Sequence, residues 1–142
     1  MLVDSNILVY AINRRSSKYT TAQNFLQTNI GNLEVAHQNI FETLRVLTHP
    51  KFPSPMKIQD ALRAIRNILK ACRVIFPDEK THYATFMLIK NNKLVSDQIF
   101  DAYLAATALS NGIDTISTDN TRDFKKFKEV TLLNPFLQIT HN

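Results

Sequence analysis

Cysteine and glycine are scarce in this 142-residue chain, and each shortage excludes something. The lone Cys72 cannot form an intramolecular disulfide, so the fold must rest on its core and needs no oxidising compartment. It falls at the apolar end of a helical stretch, where a small buried hydrophobe is expected. Glycine occurs only at Gly31 and Gly112, so no glycine-rich turn follows the first strand, and a dinucleotide-binding domain is excluded. No apolar run approaches the roughly 20 residues that cross a bilayer. The N-terminus enters a strand directly, without a basic region and an apolar signal segment. A cytoplasmic protein with no membrane partner is expected. The four histidines are scattered and make no zinc spacing, and neither an internal repeat nor a low-complexity tract is present.

What is present predicts an α/β domain. The length suits one domain over residues 1–142, large enough to bury a substantial core. Helical and strand patterns alternate from end to end, which predicts a mainly parallel sheet covered on both faces. After the strand at Met1-Leu2-Val3, Ser5 or Asn6 is placed to cap a short helix through Tyr10 and Ala11, and a second helix spans Thr20 to Ile30, ended by Gly31. Strand two is expected over Leu33–His37, and Gln38–Thr48 carries Ile40, Phe41, Leu44 and Leu47 at helical spacing. The stretch from His49 to Pro55 holds three of the five prolines and must be a loop. Lys57–Cys72, Glu79–Lys90 and Asp97–Leu109 follow as helices, the last stopped by Gly112. Arg73–Phe76, Thr115–Thr118 and Val130–Leu133 supply the remaining strands. These strands are too short for their pairing order to be derived.

Four acidic residues stand out against this pattern: Asp4, Glu42, Asp101 and Asp119. Asp4 and Asp119 each close a short apolar strand, and such carboxyl ends are where open α/β sheets bind ligands. Asp101 lies in Ile99-Phe100-Asp101-Ala102-Tyr103-Leu104-Ala105-Ala106, a helix apolar on nearly every side, where an unpaired charge is costly. Convergent acids with no required histidine or cysteine suit a hard divalent cation such as Mg²⁺ or Mn²⁺. Each acid also has a purely structural use: Asp4 as a helix cap, Glu42 as an i,i+3 partner of Arg45, and Asp119 as part of an Asx-type turn. The chain is nevertheless basic, with seventeen Lys and Arg against twelve Asp and Glu and a formal charge of +5. A negative pocket in a positive surface suits a metal-dependent enzyme acting on a polyanion, and the expected reaction is phosphodiester hydrolysis.

The residues around these acids carry a family resemblance. Val3-Asp4-Ser5-Asn6-Ile7-Leu8-Val9-Tyr10 resembles the opening motif of PIN-domain nucleases, and Phe41-Glu42-Thr43-Leu44-Arg45-Val46-Leu47 the second acidic motif. Phe100-Asp101-Ala102-Tyr103-Leu104-Ala105-Ala106-Thr107-Ala108 resembles the third, and Ser117-Thr118-Asp119 through Arg122-Asp123-Phe124 the last. The match spans essentially the whole chain. It is most like the short single-domain toxins of the VapC type in VapBC toxin-antitoxin pairs, including the Phe52-Pro53-Ser54-Pro55 loop and the closing Asn134-Pro135.

The resemblance implies a PIN-like three-layer α/β/α fold and a Mg²⁺- or Mn²⁺-dependent endoribonuclease that, as a toxin, inhibits translation. It also implies a homodimer, a cognate VapB-type antitoxin and an RNA substrate such as a tRNA or rRNA loop. By position it assigns metal binding to Asp4, Glu42, Asp101 and Asp119, with Asp123 competing for the fourth place; Asp97, one helical turn before Asp101, is within reach of the site but is expected to cap its helix. Ser5, Asn6 and Ser117 would tune the site through hydrogen bonds. Two basic clusters, Arg14, Arg15 and Lys18, and Arg122, Lys125, Lys126 and Lys128, would flank it. A receiver-type or dehalogenase-type phosphoryl-transfer domain also has an aspartate after strand one, but the second aspartate of the dehalogenase motif is missing after Asp4-Ser5-Asn6. An RNA-processing nuclease without an antitoxin, or a PIN-like binding module without turnover, remain the alternatives.

Overall fold

The short strands of this chain are apolar on both sides, which only a sheet covered on both faces can accommodate. The computed structural model describes residues 1–137; residues 138–142, the end of the domain expected over 1–142, lie outside the described residues. The elements run β1 (Leu2–Val3), α1 (Ser5–Ile12), α2 (Tyr19–Thr28), β2 (Glu34–Ala36), α3 (His37–Thr48), α4 (Ile58–Leu69) and β3 (Arg73–Ile75). They continue as α5 (Thr81–Asn92), α6 (Gln98–Ser110), β4 (Thr115–Ser117), α7 (Thr121–Phe124) and β5 (Thr131–Leu133). Five strands form one sheet in the order β3-β2-β1-β4-β5, and every pairing is parallel.

Alternation along the strands divides the core between the two faces. Leu2, Ala36, Ile75 and Ile116 join Leu104, Ala105, Ala108, Leu88, Phe124 and Phe127 on the side covered by α5, α6 and α7. Val3 and Val35 join Ile7, Leu8, Ala22, Leu26 and Ile65 on the side of α1, α2 and α4. These are the three layers expected. Ala102, Ala105, Ala106 and Ala108 are fully buried along α6, and their small side chains let that helix lie close to its neighbours. Gly112, at φ 74°, ends α6 as expected: its N–H reaches the Leu109 carbonyl at 3.0 Å and the Ile113 N–H that of Ala108 at 3.0 Å.

Three local expectations are corrected. The cap of α1 is Asp4 rather than Ser5 or Asn6, with extended backbone (φ −72°, ψ 153°) and a side chain that accepts from the Ser5 N–H. His37 starts α3 rather than ending β2, because the chain turns into the helix directly after Ala36. The polar run after Thr118 includes the short helix α7, whose Phe124 is drawn into the core and holds it in place.

The strand order places the site. From β1 the chain moves outward to β2 and β3, then crosses back to β4 on the other side of β1. The order therefore reverses between β1 and β4, leaving a crevice at their carboxyl ends. Asp4 follows β1 there and Thr118-Asp119 follows β4. The Asp4 N–H donates to the Ser117 carbonyl at 2.9 Å and the Ser117 hydroxyl to the Leu2 carbonyl at 2.9 Å, fixing the two strand ends against each other.

Ile116 is fully buried in β4, at the centre of the larger core cluster. Ile116→Ala should lower unfolding free energy by about 2–5 kcal/mol, read as a lower urea midpoint at unchanged slope. A midpoint equal to wild type would mean that the core does not close around β4.

Candidate active site

Asp4 is held more tightly than any other charged side chain near the crevice. It is buried, yet its Oδ2 accepts from the Thr118 hydroxyl at 2.7 Å and the Asn6 amide at 2.9 Å. Its Oδ1 accepts from the Ser5 N–H at 2.7 Å, from the Ser5 hydroxyl at 3.4 Å and, at the limit of contact, from Asn39 Nδ2 at 3.5 Å. Burial still pushes its pKa above the ordinary value, opposed by the Thr118 and Ser5 hydrogen bonds and reinforced by the charge of Glu42.

Glu42 faces Asp4 from α3. The Ser5 hydroxyl lies between them, 3.2 Å from Glu42 Oε2, and Gln38, one helical turn earlier, donates to Glu42 Oε1 at 2.8 Å. Asp101 enters from the first turn of α6, where the positive end of the helix favours a carboxylate. Its pKa rises to about 6, first through burial and next through the charge of Asp123; Lys126, 3.9 Å away, lowers it, and Asp4 and Glu42 raise it further. The structure therefore brings Asp4, Glu42 and Asp101 into one electrostatic neighbourhood.

Asp119 is turned elsewhere. Its carboxylate is bound by the Lys18 ammonium, by the Tyr10 hydroxyl at 3.0 Å and by Asn134 Nδ2 at 3.4 Å. Burial raises its pKa, but the Lys18 and Tyr10 hydrogen bonds and the Lys18 charge outweigh that and leave it below the ordinary value. Lys18 also sits 5.0 Å from the Tyr10 ring centroid and 5.1 Å from that of Phe136, between two aromatic faces. Asp123, in α7, accepts from Asn120 Nδ2 and contributes the largest like-charge effect on Asp101. Asp97 stands at the N-cap position of α6 without a side-chain capping bond. Of the first basic cluster, Lys18 folds onto Asp119 and Arg15 donates to the Ser54 hydroxyl at 2.9 Å.

The donor chemistry fits a hard cation. Among the described residues, no three carboxylate, imidazole or thiol groups stand close enough to enclose an ion by themselves. Wider spacing suits Mg²⁺, which keeps several of its waters and takes only one or two carboxylates directly. Asn39 Oδ1, buried beside Asp4, has no hydrogen-bond partner, the kind of orphan acceptor that a water of hydration satisfies. A cleft of about 640 Å³ lies apart from these acids, between α1, α2 and α4, with Ala11, Tyr19, Leu26, Met56 and Ile68 on its walls.

Asn39 and Gln38 lie outside the residues that the sequence points to, and Thr118, Tyr10 and Asn134 appear there only within motifs, with no role of their own. Asn39 had a signal, since it precedes Glu42 by three residues and shares its helix face. Thr118 had one in its position beside Asp119. Tyr10 and Asn134 reach Asp119 only through the tertiary fold.

This is a parallel α/β domain with a carboxylate cluster at its topological switch point. The family model described as "PIN domain" matches residues 1–130, and the chain belongs to that family. It is 29% identical over 147 aligned positions to "Ribonuclease VapC43" of Mycobacterium tuberculosis, covering 99% of each chain. In fold it is similar to a chain of VapBC2 from Rickettsia felis bound to a DNA fragment from its promoter, with a TM-score of 0.72 at 20% identity over 94% of this chain and 96% of that one. A toxin-antitoxin complex from Klebsiella pneumoniae gives a TM-score of 0.70 at 21% identity, covering 95% and 97%.

The carboxylate cluster has a measurable cost. Because the folded pKa of Asp101 lies above its ordinary value of 3.8, its contribution favours the native state at low pH and is lost as pH rises from about 4 through about 6. In chelator at pH 7, Asp101→Asn should raise the melting temperature, by the equivalent of on the order of 1–2 kcal/mol after allowance for partial exposure. The gain should vanish below pH 4, where the wild-type carboxyl is protonated. An Asn variant less stable than wild type at pH 7 would show that Asp101 is paired rather than repelled.

Proposed function

We propose that the chain is a Mg²⁺- or Mn²⁺-dependent endoribonuclease, acting as one domain, with Asp4, Glu42 and Asp101 as its metal-binding acids. The observation that carries this reading is the convergence of three carboxylates, two with raised pKa values, on one crevice of a basic protein of the PIN family. Curated relatives named ribonucleases support the reaction class.

A bound divalent cation supplies positive charge at the scissile phosphate and lowers the pKa of the attacking water. The chain's own residues do the rest. Thr118, Asn6 and Ser5 hold both oxygens of Asp4 and so fix the orientation of its carboxylate. Gln38 and Ser5 orient Glu42 in the same way. Lys126, beside Asp101, is placed to hold a phosphate oxygen next to the acids. For the fourth acid the electrostatics favour Asp123, whose charge reaches Asp101, over Asp119, whose Oδ2 is engaged by both Lys18 and Tyr10.

In the cell we place the protein in the cytoplasm as a translation-inhibiting toxin. It is paired with a VapB-type antitoxin, forms a homodimer and cleaves a tRNA or rRNA loop. Similarity to VapBC and toxin-antitoxin complexes supports the antitoxin pairing. Among the described residues no helix is long and apolar enough to cross a membrane.

Labelled total RNA incubated with Mn²⁺ or Mg²⁺ should give discrete products with wild type, and none with EDTA. Asp4→Asn, Glu42→Gln and Asp101→Asn should each lower the rate at least about 100-fold while leaving the folded spectrum intact. Wild-type turnover in Asp4→Asn and Asp101→Asn would sink the site assignment. A second comparison divides the remaining acids: Asp123→Asn should lower the cleavage rate by about 10-fold or more, whereas Asp119→Asn should mainly lower the melting temperature. The reverse result would return the fourth place to Asp119.

A further inference from the structure

Each of two proposed metal-binding acids is preceded by an exposed phenylalanine. Phe41 comes directly before Glu42 on α3 and Phe100 directly before Asp101 on α6, and they are 58% and 60% exposed. Adjacent helix positions point about 100° apart, so each ring flanks its carboxylate rather than covering it. The strip continues. The His37 ring lies 5.0 Å from Phe41 and 5.1 Å from Phe76, which is itself 56% exposed after β3.

A cleft of about 230 Å³ opens beside these rings, with His37, Gln38, Pro77, Phe100, Tyr103 and Thr107 on its walls. That is below the roughly 300–1,000 Å³ of sites for drug-sized molecules and suits one planar ring system. Gln38 connects it to the chemistry. Its amide nitrogen donates to Glu42 Oε1 at 2.8 Å and to the Phe100 carbonyl at 3.4 Å, while its Oε1 is covered and without a partner. A buried acceptor lacking a donor is unfavourable until one reaches it. Exposed aromatic faces, an apolar slot and an unpaired acceptor beside a phosphodiester-cleaving site match the features of an unpaired nucleobase, which stacks on rings and offers N–H groups from its edge.

Resting on the ribonuclease reading, we propose that Phe41, His37, Phe76 and Phe100, with Gln38 in the slot between them, form a stacking platform for an unpaired base next to the scissile phosphate. The substrate is then single-stranded or looped RNA, held by one base as well as by its backbone.

The test is binding without cleavage, by fluorescence anisotropy in EDTA. The probes are a fluorescein-labelled ten-nucleotide single-stranded oligoribonucleotide of mixed sequence and an abasic sugar-phosphate strand of equal length. Phe100→Ala and Phe76→Ala should each weaken binding of the intact probe by about 5- to 150-fold, the equivalent of ~1–3 kcal/mol per stacked base. Phe100→Tyr should stay within about twofold of wild type, and the abasic strand should bind all four proteins alike. The proposal is overturned if the alanine variants bind the intact probe as wild type does, or lose the abasic strand equally. It is also overturned if wild type does not prefer the intact probe, or if sedimentation shows that the alanine substitutions act only by dissociating a dimer built on this face. Cleavage by wild type with Mg²⁺ or Mn²⁺, scored separately, divides the two claims. Cleavage without the stacking signature removes the platform and leaves the nuclease; the signature without cleavage does the opposite.

Discussion

Burying a carboxylate at the junction of two parallel strands is the demand that the rest of this fold meets. Asp4 is nearly inaccessible, and an uncompensated charge there would cost several kcal/mol. The compensation comes from elements far apart in sequence: Thr118 after β4, Asn39 in α3, and Ser5 and Asn6 in the helix that Asp4 itself caps. Those partners meet only if β1 and β4 are neighbours and α3 crosses above them. The strand order β3-β2-β1-β4-β5 satisfies that condition, so the topology and the satisfaction of Asp4 are one constraint seen from two sides. Even so the pKa of Asp4 stays raised and that of Asp101 reaches about 6, because the hydrogen bonds do not cancel the cost of burying these carboxylates, to which neighbouring acids add. A fold selected for stability alone would place neutral residues here. The cluster is the mark of a site kept at the expense of stability.

The basic residues answer this charge selectively. Lys18 binds Asp119 beside the Tyr10 and Phe136 rings, tying the α1–α2 connection to the end of β4 and to the chain after β5. Asn134, which donates to the Asp119 backbone carbonyl at 3.1 Å, belongs to the same brace. One carboxylate of the acidic set is thereby neutralised, and the remainder face the crevice with Lys126 as the nearest cation. At the other end of the sheet, Glu34 binds the N-terminal amine and, at 3.2 Å, Arg73 of the adjacent strand. There a carboxylate stands between two cations, in contrast to the acids gathered at the crevice.

Much of this was legible in the sequence, for reasons that particular residues make plain. Asp4 and Asp119 follow apolar strands, and Asp101 interrupts an alanine-rich helix. These are local conflicts between a charge and its surroundings, and each falls at or beside the crevice. The alternation of helix and strand gave the layers, because apolar period and turn residues are local properties. What was not legible depends on contacts between distant positions. The order of two- and three-residue strands has no local signal, and neither has the pairing of Lys18 with Asp119 across 101 positions. The choice between Asp119 and Asp123 turns on that pairing. Seen in sequence, Asp119 is the acid nearer the strand end; in space, its Oδ2 meets Lys18 and Tyr10, while the charge of Asp123 acts on Asp101. Of the two readings of the α1 cap, Ser5 or Asn6 on one side and Asp4 on the other, the structure shows Asp4, whose side chain accepts from the Ser5 N–H.

The exposed phenylalanines follow from the same geometry. A helix that directs a carboxylate into a crevice must present its neighbouring positions to the rim, and on α3 and α6 those positions are Phe41 and Phe100. Charged or small polar residues would satisfy solvent at lower cost, because an exposed phenyl ring forgoes the burial energy that places most aromatics inside. Three rings and an imidazole left on one rim, beside a glutamine with an unmatched acceptor, are a set that neither folding nor phosphate binding requires. Phosphate chemistry alone would be served by the acids and Lys126, and it would treat every phosphodiester alike. Selection among phosphodiesters needs contact with the bases, and apolar planar surfaces adjoining the reacting centre are the means by which a small domain with few loops can make it.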